Sequence, residues 1–264
     1  MTSHSAATTI DHQALLVRVQ DMYRAVAETP DQEFHFETGR ALAERLGYPP
    51  EQLDAIPRGA VESFAGVGYF FDLARLQPAE EVLDLGSGSG MDAFFASLQV
   101  GDGGRVVGVD MTEAQLAKAQ GMRDEFGFTN VAFRSGLIQE LPYPDESFDA
   151  VISNGVINLA PDKDAVFAEA ARVLRPGGRL AIADIVTERA LTEAIVTNVD
   201  LWASCIGGAP QEEAYTTAMA DAGLRVERVK PNPYEFLSEQ ARNAGETFGV
   251  KSISARAVKP VMGR

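Results

Sequence analysis

The sequence predicts an α/β fold: a doubly wound, seven-stranded, mainly parallel sheet with an N-terminal helical cap. Three observations predict it. From about residue 80 onward, apolar runs of strand length alternate with helix-period segments, which is how parallel strands joined by crossover helices read. The run Glu81-Val-Leu-Asp-Leu-Gly-Ser-Gly-Ser-Gly90 joins one such strand to a helix through alternating glycines. A second buried strand, Arg105-Val-Val-Gly-Val-Asp110, also ends in an acid.

The elements follow in chain order. Residues 1–12 begin Met-Thr-Ser-His-Ser, with neither a basic nor an apolar run, and are expected to form a flexible tail rather than a signal peptide. Residues 13–77 are expected to form the cap. Leu15, Leu16, Val19, Met22, Tyr23 and Val26 recur at helical spacing. A second helix is expected from Phe36 to Leu46, stopped by Gly47 and Pro49-Pro50, with a short turn over Gln52–Ile56. Gly66-Val67-Gly68 is a small-residue loop leading to the sheet. In residues 78–264, strands are expected at 81–85, 105–110, 130–134, 148–153, 179–185, 224–229 and 250–258. Helices are expected at 90–99, 113–127, 162–174, 190–204 and 211–222. No capped helix separates the last two strands, so one of them is expected to run antiparallel. Pro231 and Pro233 break the segment after Lys230, and Tyr234–Ala244 is expected as a helix that lids the site.

Composition narrows the partners. At 264 residues and 45% hydrophobic content the chain can bury a full core, and it holds no run of about 18 apolar residues that would span a membrane. A formal net charge of −15 disfavours nucleic acid and anionic lipid, both of which need basic patches. The single cysteine, Cys205, excludes an internal disulfide and fits a reducing cytoplasm. No metal site is expected.

The glycine turn points to a ligand. A dinucleotide turn needs a glycine three residues after Gly88, and position 91 is Met. Asp84 at the strand tip instead suits a positively charged ligand. Gly86, Ser87, Gly88 and Gly90 are expected to let the backbone approach it. Asp110 lies about twenty residues past the turn, where a ribose-binding acid belongs, with Met111 beside it. Thr112 and Gln115 form a capping-box pattern for the next helix, which frees Asp110 for the ligand. Leu137 and Ile138, in the loop after the third strand, offer apolar faces to a base. At the tip of the fourth strand, Ser153, Asn154 and Gly155 are expected to border the crevice, since sheet order reverses there. The amides of Asn154 and Asn158 can orient a small polar group, and Asp162 caps the following helix.

Asp84 to Gly90, Asp110, Gly136 to Pro142 and Arg175-Pro-Gly-Gly178 together resemble class I S-adenosylmethionine-dependent methyltransferases over about 78–260. Val109-Asp-Met-Thr112, Ser153-Asn-Gly-Val-Ile-Asn-Leu-Ala-Pro-Asp-Lys163 and Leu201-Trp-Ala-Ser-Cys-Ile-Gly-Gly-Ala209 are similar to the bacterial arsenite methyltransferase branch. The resemblance implies a Rossmann-like methyltransferase fold. It implies S-adenosylmethionine as cofactor, S-adenosylhomocysteine as product and a small-molecule acceptor enclosed by the cap. It also implies arsenic-binding cysteines in two loops, where this chain has Val67 and Gly155; only Cys205 remains. Soft arsenic needs sulfur ligands, and one thiolate cannot chelate it. Gly155 is expected to leave empty volume beside the transferred methyl group.

Three readings follow. The first is methyl transfer to a small acceptor other than arsenite. The second is arsenite or thiol methylation using Cys205 with external thiols such as glutathione. The third is a cofactor-binding protein without methyl transfer. Candidate catalytic residues are Asn154, His35 as a base, and Cys205 as a nucleophile or ligand. Glu62, Tyr69 and Trp202 are candidate wall residues, and the chain is expected as a monomer or homodimer.

Overall fold

The computed structural model describes residues 11–198, 201–202, 206–237 and 239–261. Seven strands form one sheet: β1 (Glu81–Leu85), β2 (Arg105–Asp110), β3 (Val131–Ser135), β4 (Phe148–Asn154), β5 (Leu174–Val186), β6 (Arg225–Pro231) and β7 (Lys251–Val258). Their order is β3-β2-β1-β4-β5-β7-β6. The strands from β3 to β5 pair in parallel, and β7 runs antiparallel to both β5 and β6. The expected antiparallel strand is therefore β7. Sheet order reverses on either side of β1, between β2 and β4, which opens the crevice at the carboxyl ends of these strands.

Alternation along each strand sorts the core into two layers. Val82, Val106, Ile152 and Ala183 face the cap and the helices α6 (Met91–Val100) and α7 (Glu113–Phe126). Leu83, Val107, Val151 and Ile182 face α8 (Lys163–Val173) and the helix Glu212–Asp221. In α6 Phe94 and Phe95 are fully buried, so the helix after the glycine turn is clamped on its whole inner side.

The cap consists of α1 (His12–Glu28), α2 (Arg40–Leu46), α3 (Pro50–Leu53), α4 (Arg58–Glu62) and α5 (Phe71–Ala74). Asp11 caps α1, accepting from the N–H groups of Gln13 and Ala14 at 2.9 and 3.1 Å. The second cap helix starts at Arg40 rather than Phe36, because Gly39 sends its N–H to the Phe64 carbonyl. The helices α4 and α5 have no counterpart in the sequence reading; each is a short turn set off by Pro57 or by the stacked pair Phe70 and Phe71.

Two further elements differ from expectation. Within 190–204, Glu193–Val196 is helical and the Thr197 hydroxyl turns back to the Glu193 carbonyl where that turn ends; residues 201–202 are helical again. The helix expected over Tyr234–Ala244 as a lid runs over Glu239–Phe248 instead, and no described residue of it borders the crevice, so it is not a lid; the last two strands do have a helix between them. Pro231 and Pro233 keep the preceding residues extended.

Candidate functional site

A cavity of about 1000 Å³, counting its open mouth, lies at the carboxyl ends of β1, β2 and β4. The backbone of β1 reaches it and turns sharply. Gly86 and Gly88 adopt φ of +69° and +53°, and a side chain at Gly86 would meet Val156 at 2.5 Å. The turn is tied to β2 by the N–H groups of Gly86 and Ser87, which donate to the Val109 carbonyl at 2.8 and 3.0 Å. A third bond closes it: the Gly88 N–H donates to Asp110 Oδ2 at 2.9 Å.

Asp110 therefore does two things. Its Oδ1 accepts from the Thr112 N–H at 2.8 Å and its Oδ2 from Gly88. The residue lines the cavity. Burial raises its pKa, opposed by those backbone bonds. The expected capping box is absent. Thr112 makes no side-chain cap bond, and Gln115 instead accepts from the Ser89 hydroxyl and donates to the Tyr23 carbonyl at 2.8 Å. Gln115 serves the cavity wall rather than its own helix.

Asp84 is 2% exposed, and its Oδ2 has no hydrogen-bond partner. Burial, then the nearby charges of Asp92 and Asp110, hold its carboxyl well above the usual range. The Ser87 hydroxyl is likewise buried and without a partner. Both residues line the cavity. Buried polar groups are normally satisfied, so two orphaned oxygens on residues that line one cleft point to a place built for a polar ligand. Among the described lining residues there are three carboxylates, Asp84, Asp92 and Asp110, and no Lys, Arg or His. That donor set fits a ligand bearing positive charge. Met111, Leu137 and Ile138 line the far end, beyond Asp110, and supply the apolar surface expected for a base.

Asn154 also lines the cavity, but its amide is committed to the protein. Its Oδ1 accepts from the N–H groups of Val67 and Gly68 at 2.8 and 3.3 Å. Its Nδ2 lies 3.0 Å from the Gly68 carbonyl, 3.0 Å from Asp92 Oδ2 and 3.1 Å from the Tyr48 hydroxyl. Tyr48, fully buried against Phe64, Tyr69, Phe71 and Phe95, donates its hydroxyl to Asp92 Oδ1 at 2.6 Å. Burial pushes Asp92 up to about 6, against the lowering effect of the Tyr48 and Asn154 bonds. This Tyr48–Asp92–Asn154 network was not read from the sequence. Ser252 adds a second tie to the same loop, donating to the Val67 carbonyl at 2.6 Å.

Gly155 has a φ of +72°, and a side chain there would meet Val67 Cγ1 at 3.3 Å. The expected empty volume is thus occupied by Val67, itself 1% exposed. Leu16, Val19, Tyr23 and Phe64 bring the cap to the cavity. His35 is exposed and does not line it; neither do Glu62, Tyr69, Trp202 or Asn158. Asn158 and Trp202 belong to an adjoining structural cluster. The Asn158 N–H donates to Asp184 at 3.0 Å, and the Lys163 ammonium lies 4.6 Å from the centre of the Trp202 ring while donating to the Ala160 carbonyl at 3.0 Å. Cys205 lies outside the described residues.

Comparison with known proteins bears on the family and the fold. Residues 76–223 match the family model described as a methyltransferase domain. The chain is 39% identical to an arsenite methyltransferase of Halobacterium salinarum over 224 residues, 83% of this chain and 57% of that protein. It is 46% identical to the human arsenite methyltransferase over 137 residues, 48% of this chain and 36% of that protein. The chain thus spans only part of the length of these relatives. Among solved structures, the arsenic(III) S-adenosylmethionine methyltransferase of Chlamydomonas reinhardtii superposes with a TM-score of 0.63 at 31% identity. That match covers 86% of this chain and 75% of the other.

Proposed function

The chain belongs to the class I S-adenosylmethionine-dependent methyltransferases, on the side of the arsenite methyltransferases but with a single cysteine, and from that premise we propose that it methylates a small molecule. The observation that carries the reading is the unpartnered Asp84 oxygen, buried in a cavity framed by the glycine turn and Asp110. S-adenosylmethionine, when bound, supplies a methyl group activated by a sulfonium centre. Asp84 would take its amino group, Asp110 its ribose hydroxyls, and Leu137 and Ile138 its adenine. The residues' share of the reaction is positioning and exclusion of water by the cap, effects worth several kcal/mol in favourable cases. No described histidine, lysine or arginine faces the cavity as a base. An acceptor that needs no deprotonation, such as a thiol at its thiolate or a soft lone pair, suits that wall.

Two acceptors compete. The named relatives favour arsenite, which with one protein cysteine has to arrive on external thiols such as glutathione. The buried Val67 packed on the Gly155 backbone favours an acceptor held without sulfur, because neither position carries a donor side chain. One assay separates them. Protein incubated with methyl-labelled cofactor, arsenite and glutathione forms methylated arsenic if the first reading holds. If label enters only a small molecule from a cell extract, the second holds. Calorimetry that shows no heat with either S-adenosylmethionine or its demethylated product removes the whole proposal. An Asp110→Ala variant is expected to lose affinity for both by about tenfold or more.

A further inference from the structure

Of the three cavity carboxylates, Asp84 and Asp110 have ligand groups to answer, and Asp92 has none assigned. Asp92 sits in the first turn of α6 and is 6% exposed. Both of its oxygens are held, one by the Tyr48 hydroxyl at 2.6 Å and one by the Asn154 amide at 3.0 Å. Such bonds favour the ionised carboxylate against the effect of burial. Neither donor is a cation, so the protein fixes a negative charge in the cavity wall without cancelling it. Beside it, Asp84 lines the same space with an oxygen that has no partner. Two neighbouring buried acids and no base make an arrangement that is relieved when positive charge enters.

The proposed cofactor carries positive charge at two atoms, its amino nitrogen and its sulfonium. The by-product keeps the amino group and loses the sulfonium charge. The amino group and the ligand's own carboxylate are common to both forms, so the sulfonium is the one charge by which they differ and the one that an acid in the cavity wall can select. We infer that Asp92 is a charge-selecting residue, favouring the sulfonium form of the cofactor over the neutral thioether by-product and so promoting product release. The inference rests on the cofactor reading of the site. It acts through space, in a wall where water screens charge weakly.

The test is calorimetric titration of the full chain and its Asp92→Asn variant with three ligands: S-adenosylmethionine, S-adenosylhomocysteine and sinefungin, whose amine replaces the sulfonium. All three share the amino acid, ribose and adenine, so their differences isolate the charge at one position. The unaltered chain is expected to bind both cationic ligands more tightly than the thioether. In Asp92→Asn the ratio of sulfonium to thioether affinity is expected to fall by about tenfold. A ratio that stays unchanged overturns the inference while leaving the cofactor reading intact. Absence of binding by any ligand to the unaltered chain overturns both. Should Asp92→Asn fail to fold, Tyr48→Phe keeps the buried ring and removes one bond that holds Asp92 ionised. Asp92 faces Asp84 on β1, Asn154 on β4, and Tyr48 and Tyr69 from the cap, while Asp110 on β2 lines the same cavity and acts on Asp84. In Tyr48→Phe the affinity ratio is expected to drop at pH 6.5 and recover at pH 8; equal ratios at the two pH values, matching the unaltered chain, overturn the inference.

Discussion

Asn154 shows how a residue can stand at the expected place and do different work. Its amide lies at the tip of β4, bordering the cavity, yet both ends bind the 65–68 loop, Asp92 and Tyr48. Replacing it with alanine leaves the Val67 N–H and a buried carboxylate oxygen without partners. We expect Asn154→Ala to lower the free energy of unfolding by about 2 to 4 kcal/mol, read by urea denaturation. Unchanged stability would mean that water replaces the amide at no cost. The sequence made Asp84, Asp110 and the glycine turn legible because each sits at a strand tip within one local pattern. Asn154's partners were not legible. Tyr48 and Asp92 lie 106 and 62 residues away, and no spacing rule connects a cap tyrosine to a helix acid and a strand-end amide.

The first cap helix makes the corresponding case for an element. Its period was plain from Leu15, Val19, Met22 and Val26, all of which are buried. Its docking target was not plain, since the bonds that seat it run from side chains to backbone carbonyls. Gln20 donates to the Met111 carbonyl at 3.2 Å, Gln115 to Tyr23 at 2.8 Å and Lys118 to Ala27 at 2.9 Å. Leu16, Val19 and Tyr23 then overhang the cleft beside Asp110. A ligand in that cleft adds contacts to α1 that the free protein lacks. Binding of S-adenosylhomocysteine is therefore expected to slow amide exchange in residues 15–26 several-fold, followed by mass spectrometry. Exchange that is slowed only in the glycine turn would place α1 outside the binding unit. The short helices α4 and α5 were missed for a related reason. Single turns carry too few residues to show a period, and only tertiary packing selects them.

Across the molecule, buried acids set the response to pH. Asp92 and Asp184 are each pushed up from 3.8 to about 6 by burial, Asp184 despite bonds from Tyr215, Ile185 and Asn158. Asp84 is also held well above the usual carboxylate range, by burial and by the nearby Asp92 and Asp110. A carboxyl with a raised folded-state pKa binds its proton more tightly in the folded chain than in the unfolded one. Its contribution is most favourable below about pH 4 and is lost as pH rises through about 6. Each shift of about two units corresponds to at most about 3 kcal/mol. The net charge of −15 acts in the same direction, since self-repulsion grows as acids ionise. The ligand-free protein is accordingly expected to resist urea better at pH 5 than at pH 7.5, and Asp92→Asn to narrow the difference. Greater stability at pH 7.5 would show that these acids are solvated. The architecture at this scale was the most legible part. Alternating strands and helices imply a parallel sheet whose order reverses beside β1, whereas which strand runs antiparallel, β7 between β5 and β6, depends on pairing that no local pattern records. The Lys163 ammonium over Trp202 has a practical consequence, because the chain contains one tryptophan. All indole emission comes from one corner of the protein, next to the Ala160 wall of the cleft. Burial lowers Lys163 to about 8, so fluorescence followed through an alkaline titration should bend near that pH. A Lys163→Met variant would flatten the curve, leaving a built-in optical gauge with its switch removed.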